Sequence, residues 1–354
     1  MGCAAWLRLL TRNRFAIAPS CWHWAITISV AAVRNTFFHG VQEMIWGRRI
    51  KQTRIVHAPV FVIGHWRSGT TLLHELLALD ERHACPTTYE CIFPSHFLVT
   101  ERWFTRWYRF LMPPRRPVDR MRMGWTRPQE DEFALCNLGQ SSPYLTIAFP
   151  NRGPQCDDYF DLEQVPADAR QRWKECYLRF IRQLTVRDSR RVVLKSPTHT
   201  FRIRLLLDLF PDARFVHIVR NPYVIFPSTI SLWRSLYTYQ GLQRPTFEGL
   251  EEYVFDTFVR LHARLDETRS LVAPSRFCEV RYEDLIADPV GQVRAIYQQL
   301  DLGDVEPVLP ALRRHVAEIA VHTPNRHELP PALLERITER WGHVIRRYGY
   351  SYPA

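Results

Sequence analysis

The chain has 354 residues, which is enough for one large α/β domain or two domains of ordinary size. Its formal charge of +11 comes from 44 arginines and only three lysines, without the dense basic runs that favour a nucleic-acid tail, so we expect no nucleic-acid partner. Eight scattered cysteines lack C-x-x-C spacing, which indicates reduced thiols in a cytoplasmic protein and argues against zinc; we expect no bound metal.

Residues 1–55 are predicted to form an N-terminal helical arm in front of a single domain over 56–354. The apolar stretch 15–33 is interrupted by Pro19, His23 and other polar residues, so it is a poor candidate for a membrane-spanning helix. Tryptophans among arginines suit an amphipathic segment lying on a membrane surface, but a helix packed on the domain explains the pattern equally well. Both interpretations, peripheral membrane contact and packing, stay open.

A strand, a tight turn and a helix follow the arm. Residues 59–64 predict a buried parallel strand that ends in glycine, and the leucines that follow the turn predict a helix. Backbone N–H groups of such a turn lack intrahelical partners and attract an anion. The spacing Gly64-x4-Gly69 resembles the nucleotide-binding P-loop, but Thr70 stands where that motif has lysine. Arg67 supplies a positive charge inside the turn instead.

The next segment contains two groups of carboxylates. Residues 88–90 are predicted to return to the same sheet edge as a second short strand, which makes Glu90 a candidate site residue; the alternative is a surface carboxylate. Residues 99–160, rich in arginine, aromatic residues and proline, are predicted to form a cap-like insertion. Within it, Glu130-Asp131-Glu132 is predicted to begin a helix, where carboxylates interact favourably with the helix dipole.

Strand and helix patterns alternate through the remaining chain. The apolar spacing predicts a core-facing helix over 167–187, strands over 191–195 and 214–220, and a further strand with its exit loop over 276–285. This order predicts an α/β fold with a mostly parallel sheet of about five strands flanked by helices. Lys195 and Arg220 stand at the carboxyl ends of two strands, and Ser228 lies on the helix after Arg220.

Three motifs in this order resemble the sulfotransferases that use 3′-phosphoadenosine 5′-phosphosulfate (PAPS). Residues Arg67-Ser68-Gly69-Thr70-Thr71 are similar to the family's 5′-phosphosulfate loop, in the arginine form of the bacterial and tyrosylprotein branch. Arg220 with Ser228 is similar to the family's 3′-phosphate pair, and Tyr282 lies in a stretch similar to the loop beside the adenosine. The resemblance covers roughly residues 57–350 and implies a three-layer fold like that of the P-loop NTPases.

The resemblance also implies the reaction. A sulfuryl group would pass in line from PAPS to a hydroxyl of an unidentified acceptor, which could be a glycan, an amphiphile or an aromatic alcohol, leaving 3′-phosphoadenosine 5′-phosphate (PAP) and requiring no metal. The loop 67–71 would hold the 5′ end of PAPS. Lys195 resembles the family lysine that stabilises the bridging oxygen.

Three residues are candidates for the general base that accepts the acceptor's proton. Glu90 resembles the glutamate base of tyrosylprotein sulfotransferases, although its spacing from the loop arginine differs. His199 resembles the histidine of the cytosolic family, although it lies further from Lys195 than in that family. Glu132 is the third candidate, and we prefer Glu90, then His199.

Two other classes of function stay open at this point. A P-loop kinase-like, NTP-dependent enzyme would need the loop lysine and would prefer ATP with Mg²⁺ to PAP. A non-catalytic membrane-associated protein would use residues 1–55 and would not be stabilised by nucleotide. The sequence does not indicate the oligomeric state.

Overall fold

The computed structural model describes residues 1–107, 124–319 and 329–352. Its strands are β1 (Val60–Ile63), β2 (His83–Ala84), β3 (Arg191–Lys195), β4 (Arg214–Val219) and β5 (Phe277–Arg281). Its helices are α1 (Cys3–Arg12), α2 (Trp22–Gln52), α3 (Thr70–Leu77), α4 (Thr88–Ile92), α5 (Phe97–Trp107), α6 (Asp131–Asn137), α7 (Ala167–Arg187), α8 (Ile203–Leu209), α9 (Pro222–Gln240), α10 (Leu250–Arg269), α11 (Tyr282–Ala287), α12 (Pro289–Leu300), α13 (Leu309–Ile319) and α14 (Pro331–Tyr348).

The five strands form one sheet in the order β2-β3-β1-β4-β5, flanked by helices, which confirms the predicted α/β fold. β1 pairs in parallel with both β3 and β4, and β4 pairs in parallel with β5. The chain leaves β1, forms β2 and β3 on one side of it, and then crosses to β4 on the other side. In open α/β sheets, ligands bind beyond the carboxyl ends of the strands where the order reverses in this way.

The central strand β1 is fully buried, and Val60, Phe61, Val62 and Ile63 are each 0% exposed. A strand enclosed on both faces has a continuous run of apolar residues rather than an alternating pattern. This run is the feature that predicts β1 from the sequence. The loop that follows β1 therefore begins at the end of a strand that is buried and paired on both sides.

One predicted element is wrong. Residues 88–90 do not form a strand; they begin α4, and the short second strand lies earlier, at His83–Ala84. The reason is a capping box, in which the Thr87 hydroxyl accepts a hydrogen bond from the Glu90 N–H and the Glu90 carboxylate accepts one from the Thr87 N–H. This reciprocal pair satisfies two N–H groups that would otherwise lack partners, and so it favours a helix start.

Contacts group the chain into two compact units. The first comprises 1–57, 85–192 and 232–248, and a core cluster within it joins Trp6, Leu9 and Leu10 of α1 to Ala25 and Ala32 of α2, with Phe149 and Leu242. The second unit comprises 58–84, 193–231 and 249–354 and contains the paired strands at the centre of the sheet. The predicted arm over 1–55 and single domain over 56–354 stay a prediction.

The N-terminal residues are helical, as α1 and α2 show. Among the described residues, no helix combines the length and the apolar character needed to cross a membrane. The predicted insertion over 99–160 contains part of α5, all of α6 and short 3₁₀ turns, and its residues 108–123 lie outside the described part of the chain.

Candidate active site

The loop after β1 is shaped by two glycines that no other residue could replace without movement. Gly64 has φ +144°, and a Cβ there would lie 2.4 Å from the Ile218 carbonyl oxygen. Gly69, the N-cap of α3, has φ +105°, and a Cβ there would lie 2.4 Å from a ring carbon of Tyr282. The loop backbone is thus pressed against β4 and Tyr282, with the N-terminus of α3 beside it, which is an arrangement suited to an anion.

Arg67 lies at the centre of this loop in a left-handed conformation, with φ +67°. A non-glycine residue in this region of backbone space is uncommon, and such strain is concentrated at functional sites. The Arg67 Nε donates a hydrogen bond of 2.9 Å to the Ser228 Oγ on α9. Ser68 and Thr70 are buried on either side of Gly69, and the Ser68 N–H closes the turn onto the His65 carbonyl at 3.1 Å.

Arg220 joins the same cluster from the carboxyl end of β4. One of its terminal nitrogens donates to the Arg67 carbonyl oxygen at 2.9 Å, and its guanidinium lies 4.0 Å from the centre of the Tyr282 ring. Burial lowers the pKa of Arg220, and the neighbouring Arg67 acts in the same direction while Tyr282 opposes it. Two guanidinium groups therefore lie close together. Their combined charge creates a positive electrostatic potential that suits a ligand with more than one anionic group.

Lys195 approaches the loop from the end of β3, the strand on the other side of β1. It is 2% exposed, and its Nζ lies 3.4 Å from the Thr71 Oγ1 in the first turn of α3. The structure thus brings together the predicted residues of the loop, Lys195, Arg220, Ser228 and Tyr282, all within the second unit.

Glu90 and Glu132 lie in the first unit. The Glu90 side chain is fully buried in α4, where Oε2 accepts from the Thr87 N–H at 2.6 Å and Oε1 forms an ion pair with Arg187. Burial raises the pKa of the Glu90 carboxyl, and the Arg187 guanidinium opposes that shift. A carboxylate has about four lone-pair positions, so these two contacts leave it able to accept a further hydrogen bond.

Sequence reasoning missed two residues beside Glu90. Arg187, the last residue of α7, also lies 3.5 Å from the Glu101 carboxylate on α5, so one guanidinium holds two carboxylates. Burial and the negative charge of Glu90 raise the pKa of Glu101 to about 7. The capping box was visible as Thr87-x-x-Glu90, but no local pattern connects either carboxylate to Arg187, which is remote in the sequence.

The other two base candidates are also fully buried. Glu132, in the first turn of α6, accepts a hydrogen bond from the Ser142 hydroxyl. This bond connects α6 to the turn that begins at Ser142. His199 lies in a 3₁₀ turn after β3, and its ring meets the Phe61 ring edge-on at 5.3 Å. Because Phe61 belongs to the central strand, this places His199 against the apolar core of the second unit.

Comparison with known proteins identifies the family. A sequence model of the sulfotransferase family matches residues 59–307. The chain belongs to the sulfotransferase family. It is also 50% identical over 353 residues to the omega-hydroxy-beta-dihydromenaquinone-9 sulfotransferase Stf3 of Mycobacterium bovis and of Mycobacterium tuberculosis, covering 99% of this chain and 91% of that protein. The predicted class of enzyme is therefore confirmed, and the kinase-like and non-catalytic alternatives are set aside.

Solved structures support the fold of this sulfotransferase. The sulfotransferase STF9 from Mycobacterium avium superposes with a TM-score of 0.67 at 19% identity, covering 88% of this chain and 81% of STF9. The sulfotransferase STF1 from Mycobacterium tuberculosis H37Rv has a TM-score of 0.57 at 23% identity, covering 89% and 87%. Sheet and flanking helices are thus shared with sulfotransferases despite low identity.

The close approach of Gly69 to Tyr282 makes a specific prediction. Gly69→Ala is expected to lower the free energy of unfolding by about 1–3 kcal/mol and to weaken PAP binding, because the methyl group would push Tyr282 away from the loop. The matched control is Gly249→Ala, since Gly249 has φ +71° but a Cβ there meets nothing within 4 Å. Thermal unfolding and PAP titration of both variants check this; equal PAP affinity in the two would contradict a ligand role for the loop.

Proposed function

We propose that this sulfotransferase moves the sulfuryl group of PAPS to the terminal hydroxyl of an omega-hydroxylated dihydromenaquinone. The proposal that PAPS is the donor is supported by a cluster at the carboxyl edge of the sheet, formed by Arg67, Ser228, Arg220 and Tyr282. The proposed acceptor is supported by the 50% identity, over nearly the whole chain, to a relative named for that substrate.

The donor cluster fits a nucleotide with phosphates at two positions of one ribose. In PAPS the 3′ and 5′ substituents are close together, so their binding groups must also be close, as Arg67 and Arg220 are. We assign the loop N–H groups and Arg67 to the 5′-phosphosulfate, with Ser68, Thr70 and Thr71 shaping the start of α3. We assign Arg220 and Ser228 to the 3′-phosphate, and the Tyr282 ring to the adenosine side.

The proposed step breaks one bond to sulfur and forms another. The acceptor oxygen attacks sulfur as the bond between sulfur and the bridging oxygen of the 5′-phosphate breaks, and negative charge grows on that bridging oxygen. Lys195 is suited to stabilise this charge because its buried ammonium lies 3.4 Å from Thr71, at the first turn of α3. Arg67 acts on the same phosphate, and the product PAP leaves with the electron pair.

The proton of the acceptor hydroxyl goes to a base, for which we propose Glu90. Two features support it: burial of the carboxylate raises its pKa above the usual value, and the ion pair with Arg187 holds the carboxylate in place. His199, which packs on Phe61, and Glu132, which accepts a hydrogen bond from Ser142, are the second and third candidates.

The acceptor assignment is tested by direct transfer of label. Purified enzyme is incubated with ³⁵S-labelled PAPS and omega-hydroxy-beta-dihydromenaquinone-9 in detergent, and we expect the label to appear in the lipid fraction. The matched control is the same lipid without the omega-hydroxyl group, which should remain unlabelled because it lacks the attacking oxygen.

The donor assignment and the acceptor assignment are tested separately in this design. PAP binding is measured by titration and by thermal shift, independently of any acceptor. If PAP binds but the label goes to a glycan or an aromatic alcohol instead of the lipid, the acceptor proposal is wrong and the donor proposal stands. Tighter binding of ATP with Mg²⁺ than of PAP would overturn the donor proposal itself.

A further inference from the structure

Helix α2 has one face that is used inside the first unit. Its 31 residues include Ala25, Ala32, Asn35, Gln42 and Ile50 as buried positions, and the helix packs against α1, α5 and α7. The buried positions recur on one side of the helix, so the opposite side is left for solvent or for a partner.

That opposite side is apolar and exposed. Six large side chains, each at least 60% exposed, follow one another at steps of three, four or seven residues and so form one line along the helix: Trp22, Ile26, Val30, Val33, Phe37 and Met44. We call this line the outer stripe; from Trp22 to Met44 it is about 33 Å long. Single exposed apolar residues are ordinary on a protein surface, but six of them along one side of a helix mark an interaction surface.

The charge around the outer stripe points to an anionic partner. Residues 1–57 contain seven arginines and one lysine but a single acidic residue, Glu43, which is already paired with Arg179. Arg48 and Lys51 are exposed and lie four and seven residues beyond Met44, on the same side of the helix. A helix that combines an exposed apolar line with cations beside it is suited to lie in the plane of a membrane interface.

A second copy of the chain is a weaker candidate for the partner. Pairing two outer stripes would bring the basic groups of residues 1–57 from both copies together, and the single acidic residue of each copy, Glu43, is already paired with Arg179. We propose instead that the outer stripe of α2 binds the surface of a bilayer containing anionic lipids, and so holds the enzyme where a lipid acceptor resides. This deepens the proposed function, because only a lipid acceptor requires it, but binding is measured without any transfer reaction.

The test is co-sedimentation of the full chain with lipid vesicles. We expect binding to vesicles of phosphatidylcholine with phosphatidylglycerol, and weaker binding to vesicles of phosphatidylcholine alone. Val33→Asp combined with Phe37→Asp should reduce binding by roughly tenfold or more, since charges then enter the interface. Both residues are exposed, so circular dichroism and thermal unfolding should be unchanged. The matched control is Leu271→Asp, an exposed apolar residue of the second unit, which should bind as the wild type does.

A charge variant separates the two contributions. Arg48→Glu with Lys51→Glu should remove the preference for phosphatidylglycerol while retaining part of the binding to neutral vesicles. Equal vesicle binding by the wild type and the Val33/Phe37 variant would overturn the proposal, as would a dimer in light scattering that the same variant converts to a monomer. If vesicle binding is confirmed but the detergent-dispersed lipid is not sulfated, the proposed membrane-binding role of the outer stripe is supported and the acceptor assignment is wrong.

Discussion

Glu90→Gln is expected to lower kcat by about 10²–10⁴-fold while PAP affinity stays that of the wild type. The substitution removes the negative charge that accepts the proton in the proposed mechanism, yet glutamine can still serve the capping box with Thr87, so α4 should keep its start. Single-turnover transfer with labelled PAPS measures the chemical step, and titration with PAP measures the donor site separately.

The pH dependence of kcat gives a readout that a structural role would not produce. A carboxylate can act as a base only when it is deprotonated. If Glu90 is the base, wild-type kcat should therefore rise with pH through the pKa of Glu90, which burial raises above the usual value. In Glu90→Gln the residual activity should lack this acidic limb. Arg187 opposes the shift, so Arg187→Gln should move the limb to higher pH while retaining the base.

A control variant distinguishes loss of the base from loss of the helix cap. Thr87→Val removes the hydroxyl that accepts from the Glu90 N–H but leaves the carboxylate, and it should cost about 1 kcal/mol of stability with little change in kcat. If Thr87→Val loses as much activity as Glu90→Gln, or if Glu90→Gln turns over at nearly the wild-type rate, Glu90 is not the base.

The parts of this enzyme that the sequence predicted are those set by local patterns. The helix Ala167–Arg187 was bounded correctly because its apolar residues recur at helical spacing. Because buried parallel strands are short apolar runs, the strand end at Lys195 is predicted correctly, and the strand predicted over 214–220 ends one residue earlier, at Val219. The loop 67–71 was recognisable since its glycine and arginine follow such a strand directly.

The parts that were not predicted depend on contacts between residues remote in the chain. Nothing around Glu90 indicates that Arg187 holds its carboxylate, and the short run 88–90 resembles a strand unless the capping box of Thr87 and Glu90 is considered. The outer stripe of α2 was equally ambiguous: the same apolar residues could have been buried, and only their exposure in the folded chain shows which face is free.

Arg220→Ala is expected to weaken PAP binding by about 10- to 100-fold, because it would remove the charge-assisted hydrogen bonds that we propose Arg220 makes to the 3′-phosphate. The affinity for 5′-AMP, which has no 3′-phosphate, should change much less. The ratio of the two affinities, measured by titration calorimetry, therefore reports the 3′-phosphate contact alone. The matched control is Arg276→Ala. Arg276 directly precedes the amino end of β5 and pairs with Asp212, so this substitution should leave both affinities unchanged.

The contacts of Arg220 also determine how this variant should behave without ligand. Arg220 donates to the Arg67 carbonyl and stacks on Tyr282, so its loss could loosen the loop as a whole. A loosened loop would weaken PAP and 5′-AMP equally, whereas loss of the phosphate contact weakens PAP selectively. Equal weakening of the two nucleotides would therefore contradict the assignment of Arg220 to the 3′-phosphate, and selective weakening would place that phosphate beside β4.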